Sequence, residues 1–419
     1  MLLKKFVLTG WITLAAIIGF AQQKTLTLDE ALASAQQHYP ALKQKELLKE
    51  IEKENQSLLN ASLLPQLGAA GQATYQSEVT AFEMPGIPKG IGQKPDNYNI
   101  GFDLRLPLTQ FGIVHSKKEL EAAQADAGIM QLDVEFQKVK ERITGLFGNL
   151  LLQKANERIL KVRLNDLDSQ ARKVSVGVNS GAVLKSNQLV LESEILGTQQ
   201  RIEDIQSTEK SLMKQLALLT NIKVDTATDL LLEQASLEKS IHRPEITALE
   251  AQKKVLDIRG DLVKKESKPN FYLFGQGNFG RPGFNFLNTD PRLYGIAGIG
   301  LSWNINNLFN VPKQQHIIKM QKDQLNAQEE TFRLNLEASL AEKEEEIRKF
   351  GSIISKDAQI VQKRKEIMRA TESQLQNGVI TSTEYLTELN AANSAELNLV
   401  LHKVQLAMAI AQYNTISGN

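Results

Sequence analysis

Few of the residue types that do chemistry are grouped in this chain. Cysteine is absent, which removes thiolate metal sites, disulfides, a cysteine nucleophile and lipidation of a mature N-terminal cysteine. The five histidines (His38, His115, His242, His316, His402) are scattered without ligand spacing, so no metal is expected. The carboxylate run Glu342 to Glu346 reads as the solvated face of a helix. Gly275-x-Gly277 with Gly280 lies in an extended stretch with no helix start behind it, so a phosphate loop is not expected. No serine, histidine and acid set is placed by a local motif, and no enzyme or cofactor site is expected. Two charges do stand out. Asp103 and Arg105 interrupt the strand-like stretch Asn97 to Leu108, and the chemistry open to them is electrostatic: wetting and charging one side of a wall.

That stretch, NYNIGFDLRLPL, alternates throughout. Tyr98, Ile100, Phe102, Leu104, Leu106 and Leu108 fall on one face, and Asn97, Asn99, Asp103 and Arg105 on the other. Three more segments share the character. Gln66 to Gln76 puts Leu67, Ala69, Ala73 and Tyr75 on one side; Arg292 to Ile305 puts Leu293, Ala297, Ile299, Leu301, Trp303 and Ile305 on one side, with Ile296 out of pattern. Asn270 to Gly280 is less cleanly divided, because Tyr272 and Phe274 share the face of Asn270, Gln276 and Asn278. Each segment has about the length a tilted strand needs to cross a bilayer.

The chain is written twice. Pro40 and Pro65 are 25 residues apart, as are Pro244 and Pro269; Gly71-Gln72 and Gly275-Gln276 follow each second proline by six residues, with Tyr75 or Phe279 four further on. The first repeat, 22–219, reads as helix, strand 66–76, strand 97–108, long helix 113–176, turn and helix 183–219. The second, 244–419, reads as helix, strand 270–280, strand 292–305, long helix 313–375, turn and helix 383–416. Segment 220–243 joins them. In the first long helix, Leu120, Ala123, Ala127, Met130 and Val134, then Ile143, Leu146 and Leu150, recur at coiled-coil steps. Some 63 helical residues span roughly 95 Å, more than a globular core needs.

Residues 1–21 carry Lys4 and Lys5, an apolar run from Phe6 to Phe20 and a small-x-small site at Gly19-Phe20-Ala21, the pattern of a cleaved secretory signal peptide. Acidic and basic residues nearly balance, 48 against 49, so nucleic acid is not an expected partner. Any membrane passage has to be made by strands, and four strands leave edge amides unpaired in lipid. Two copies of the chain would supply about eight strands and three about twelve. Only the larger ring leaves an open lumen. A mainly α chain with a membrane β-barrel part, assembled as a homotrimer, is the expectation.

Several landmarks together resemble the TolC-like outer-membrane efflux proteins over nearly the whole mature chain. They are Leu26-Thr27-Leu28-Asp29-Glu30-Ala31-Leu32 followed by Tyr39-Pro40-Ala41-Leu42, the junction Leu106-Pro107-Leu108, and the turns at Gly181 and Gly378, each with a leucine eight residues on (Leu189, Leu386). The resemblance implies a 12-stranded β-barrel built from three chains in outer-membrane lipid, continued by a long coiled-coil α-helical barrel across the periplasm. It implies a passive exit duct for efflux or type I secretion, working with a periplasmic adaptor protein and an inner-membrane pump, proton-driven or ABC type. Segment 220–243 would lie in the belt around the helices.

The same resemblance assigns site residues. Gly181 and Gly378 are the helical hairpin tips. Glu384 matches a position that forms a constricting ring at the periplasmic aperture, and Glu388 lies one residue off another; three copies of Glu384 around an axis would raise one another's pKa and favour cations. The first hairpin departs from the pattern, with Asn187 where an acid is frequent and Lys185 nearby, and Ile380 stands where a basic gating residue can occur. Asp103 and Arg105 are expected in the barrel lumen. The alternative is a periplasmic coiled-coil scaffold or adaptor, which leaves the apolar strand faces without a use.

Overall fold

The structure is a computed structural model that describes residues 25–80, 92–181, 183–232, 236–285, 288–376 and 379–419. The expected signal peptide, Gly378 and parts of both strand-connecting loops lie outside the described residues. In chain order the elements are β1 (Thr25–Thr27), α1 (Leu28–His38), a 3-10 turn over Pro40–Lys43, α2 (Gln44–Ala61), β2 (Gln66–Tyr75), β3 (Asp96–Pro107), α3 (Phe111–Asn179) and α4 (Lys185–Thr220). They continue with β4 (Asp229–Leu231), α5 (Pro244–Glu266), β5 (Asn270–Arg281), β6 (Arg292–Ser302), α6 (Asn306–Gln376) and α7 (Ser382–Ser417).

Two compact units divide these elements, and neither coincides with a sequence repeat. One holds residues up to His38, Ile143–Ser236 and Arg348–Ala411; the other holds Tyr39–Arg142, Leu237–Ile347 and Gln412–Asn419. Each unit therefore draws on both halves of the chain.

The second unit contains an antiparallel four-stranded sheet of order β2-β3-β5-β6. The antiparallel pairs β2–β3 and β5–β6 are joined through β3 and β5. Register keeps the apolar alternation continuous: Leu67 lies opposite Leu104, Ile100 opposite Phe279, and Phe279 opposite Leu293. A shift of one residue in any pair would turn a whole strand over, so the shared face is strongly specified. Pro65 and Pro269 stand just before β2 and β5, where a missing N–H costs no ladder bond.

The first unit is helical apart from a two-stranded parallel sheet in which β1 pairs with β4. Thr25↔Asp229, Leu26↔Leu230 and Thr27↔Leu231 are its register pairs, and Leu26 and Leu230 are buried. The Ser34 hydroxyl of α1 donates to the Thr220 carbonyl at the end of α4 at 2.6 Å. The joining segment 220–243 thus carries strand structure that three apolar residues in a row did not announce. Along α3, Ile143, Phe147, Leu150 and Leu167 are fully buried, each stabilising by about 1.5–3 kcal/mol relative to exposure. Val162 of the same helix is exposed.

The strand expected over 292–305 ends at Ser302, and the helix expected from 313 begins at Asn306 with Pro312 inside it. The physical reason is a start signal ahead of the proline. The Asn304 side chain accepts the Asn306 N–H at 3.2 Å and its carbonyl accepts the Asn307 N–H at 3.1 Å, which begins the helix. Pro312 is on the exposed side, where losing one helical bond is tolerable.

Candidate functional site

The sheet presents two unlike faces. On the apolar one, Leu67 is 71%, Ile100 63%, Phe102 62% and Leu293 80% exposed. So much open aliphatic and aromatic surface on a paired sheet demands a cover. Charge is nearly excluded along the strands: β6 and its extension carry none between Arg292 and Lys313, and β5 none between Lys268 and Arg281.

Register stacks the polar face in rows. Gln66, Arg105 and Phe274 share one row; Gly68, Asp103 and Gln276 the next; Gly101, Asn278 and Tyr294 another. The large groups here lie sideways over glycines. A Cβ on Gly300 would sit 2.3 Å from the Tyr272 ring, one on Gly298 would sit 3.0 Å from the Phe274 ring, and one on Gly68 would sit 2.7 Å from the Asp103 carboxylate. Arg105 completes the layer, its guanidinium 3.8 Å from the Tyr272 ring centroid. This explains why β5 looked ambiguous in sequence. Its aromatics belong to the polar face and are accommodated by the missing side chains of β6.

Near the hairpin turns, α3, α4 and α7 meet in one core of Leu167, Val174, Leu191, Tyr385, Leu386 and Leu389, against which Met368 and Leu375 of α6 pack. The Gln170 side chain donates to the buried Tyr385 hydroxyl at 3.2 Å, and burial raises the Tyr385 pKa. Gly181 closes the first hairpin at φ +75°, with its N–H on the Val178 carbonyl at 3.0 Å. A side chain there would be strained, which accounts for the glycine.

No protein-family profile matches the chain, and no curated protein matches it. Solved structures do. The outer-membrane channel OprN aligns with a TM-score of 0.70 at 15% identity, over 93% of this chain and 89% of that one. The Campylobacter jejuni outer membrane channel CmeC gives 0.69 at 14% identity, over 93% and 85%. The Neisseria gonorrhoeae outer membrane channel MtrE, in its open state, gives 0.68 at 16% identity, over 94% and 89%. The chain has the fold of the TolC-like outer-membrane channels.

Within the TolC-like fold, the expected aperture residues are held by local contacts. Glu384 is exposed, and its carboxylate accepts the Thr381 N–H at 2.8 Å and the Thr381 hydroxyl at 2.9 Å. The Glu384 N–H returns a bond to the Thr381 hydroxyl at 3.2 Å. This is a capping box at the start of α7, readable as Thr-x-x-Glu in 381–384. The backbone N–H and hydroxyl of Thr381 hold the Glu384 carboxyl below its usual pKa, so within one chain it stays anionic. Thr27 and Glu30 make the same box at α1, with bonds of 3.0 and 3.2 Å, inside the opening signature.

Glu388 pairs with Arg364 of α6 at 3.0 Å, and Lys185 donates to Gln188 at 2.9 Å. The Asn187 N–H bonds the Leu184 carbonyl at 3.1 Å in the first turn of α4. Ile380 packs against the tip core. The two matched leucines differ: Leu386 is 6% exposed inside the core, while Leu189 is 54% exposed. Asp103 and Arg105 both stand on the polar face of the sheet, as the alternation required.

One residue that sequence reasoning passed over is Glu209. The buried residues of α4 are Leu191, Thr198, Ile202, Glu209, Met213, Leu216 and Thr220, so Glu209 occupies a seam position of the coiled coil. It is 3% exposed and its Oε1 has no hydrogen-bond partner among the described residues. It lines a cleft of about 580 Å³ with Lys154, Glu157, Lys161 and the loop 226–229. Burial, and secondarily the Glu157 charge, raises its pKa. The signal was the i, i+4, i+7 spacing read through a polar residue type.

Proposed function

We propose that this chain is an outer-membrane exit duct, carrying small molecules or export substrates passively from the periplasm to the outside as part of a tripartite efflux or type I secretion system. The observation that carries the reading is the four-stranded sheet with one open apolar face and two edges, β2 and β6, that are unpaired among the described residues. Unpaired edge amides are prohibitive in lipid, so other copies of the chain supply the missing pairs. Three copies give a ring of about twelve strands with room for water, and put Asp103 and Arg105 on the lumen side. The α3–α4 and α6–α7 hairpins continue the duct as a periplasmic helical barrel, with Gly181, Gly378, Asn187, Lys185, Glu384 and Glu388 at its mouth. A periplasmic adaptor and an inner-membrane pump of the proton-driven or ABC type dock there. A cleaved leader, residues 1–21, delivers the chain across the inner membrane.

The likeness in fold to several outer-membrane channels supports this reading. The scaffold or adaptor alternative gives the exposed face of β2, β3, β5 and β6 nothing to pack against. The test is fractionation. The outer-membrane fraction is expected to hold trimers that resist detergent and dissociate on heating, and purified trimers are expected to conduct ions in planar bilayers. Soluble monomers in the periplasm would overturn the proposal.

A further inference from the structure

Where the strands hand over to the helices, three segments are tied into one collar. The Leu108 N–H bonds the Phe271 carbonyl at 2.8 Å, and the Thr109 hydroxyl donates to Asn270 Oδ1 at 2.7 Å. The Trp303 indole N–H donates to the Ser267 carbonyl at 3.0 Å, and Gln315 of α6 donates to the Gly260 carbonyl of α5 at 2.6 Å. On this collar large apolar groups stay open: Phe111 is 57%, Trp303 44%, Leu308 44% and Phe309 73% exposed. Trp303 follows the apolar alternation of β6, and Phe111, Leu308 and Phe309 stand in the first turns of α3 and α6, just past the last strand pairs.

Charge returns abruptly at this level, and it is mainly positive. The passage from Leu106 to Val114 is uncharged and leads to Lys117 and Lys118; the passage from Leu293 to Pro312 is uncharged and leads to Lys313; β5 is preceded by Lys264, Lys265 and Lys268. Four of these six lysines are already engaged, Lys117 with Glu266, Lys264 with Asp261, Lys265 with Ser116 and Lys118 with Asn60. Lys268 and Lys313 are exposed and have no partner among the described residues. Lys268 directly follows the residue that accepts the Trp303 indole N–H.

We propose that this collar is a binding surface for acidic phospholipid headgroups. The aromatic and aliphatic belt lies in the membrane interface, and Lys268 and Lys313 take the headgroup phosphates just beyond it. Amphipathic rings settle at the headgroup level, and lysine stems run along apolar surface while the ammonium stays wet. The order along the chain, apolar belt and then lysine, matches the order of acyl boundary and phosphate in a leaflet. The inference rests on the outer-membrane reading above.

The experiment uses tryptophan fluorescence of the mature protein: Trp11 leaves with the proposed leader, so Trp303 is its only tryptophan. The protein is reconstituted into phosphatidylcholine vesicles containing phosphatidylglycerol, with bromines on the acyl chains of one lipid or the other. Stronger quenching by shallow than by deep bromines is expected, with brominated phosphatidylglycerol preferred by on the order of fivefold for each lysine engaged. Lys268→Gln with Lys313→Gln is expected to abolish that preference while depth-dependent quenching persists. Equal quenching by the two lipids, or a preference that survives the double substitution, overturns the collar proposal with the membrane reading intact. Failure to float with vesicles, together with absence of quenching by any brominated lipid, overturns both.

Discussion

Glu209 carries a carboxyl into a seam otherwise built of aliphatic and hydroxyl side chains. Because burial favours its neutral form, the folded chain holds a proton there that the unfolded chain releases at lower pH. Its contribution to stability is full below the ordinary carboxyl value of 4.5 and is lost as pH rises through the raised folded value. Glu209→Gln removes this slope. In thermal melts from pH 4 to pH 8 the variant is expected to gain on the parent as pH rises, by about 1–3 kcal/mol at the alkaline end. A constant difference across the range would show that Glu209 is solvated in the assembled protein. The groups that face it, Lys154, Glu157 and Lys161 from α3, are the sources of any residual slope.

Glu384 has two separable roles, and a pair of substitutions divides them. Thr381→Ala removes the capping box and is expected to cost about 1 kcal/mol while leaving the carboxylate charge in place. Glu384→Ala removes both cap and charge. If the charge rings the aperture, single-channel cation selectivity in planar bilayers falls for Glu384→Ala alone. If Glu384 acts only as a cap, both variants lose similar stability and neither alters selectivity.

At the scale of the element, sequence landmarks that match in spacing do not match in packing. Leu386 is enclosed by the tip core and Leu189 is not, although both stand eight residues after a turn glycine. Leu386→Ala is expected to cost about 2–5 kcal/mol and Leu189→Ala within about 0.5 kcal/mol, as read by denaturant unfolding of purified protein. Much of the element order was legible, because strands of period two and helices of period three to four leave strong traces in composition. What was hidden depended on partners distant in sequence. The three-residue strands β1 and β4 are specified only by each other, some 200 residues apart. The assignment of Tyr272 and Phe274 to the polar face needed Gly300 and Gly298 to be set beside them. The start of α6 was hidden differently: its local signal, Asn304, fell inside the stretch whose alternation read as strand 292–305.

For the whole molecule, the glycine-backed wall makes a prediction about the lumen. Gly300→Val would force the Tyr272 ring upright and free the Arg105 guanidinium stacked on it. If the polar face lines the proposed lumen, the expected outcome is a lower single-channel conductance with the oligomeric state unchanged; a conductance equal to that of the parent would mean that the ring has space on the other side.

The interleaving of the two compact units bears on how such a chain can be made. One unit needs residues from before His38, from the middle of the chain and from Arg348–Ala411, and the other closes only with Gln412–Asn419. Neither can be completed while the chain is still emerging, and segments such as the one around Gln137 must wait, with apolar surface open, for a partner, Thr415, that lies 278 residues further on. Long-range closure of this kind is slow and prone to aggregation. Folding should therefore begin in earnest only after the last helix is delivered, and the nascent protein is a natural client for a holding chaperone.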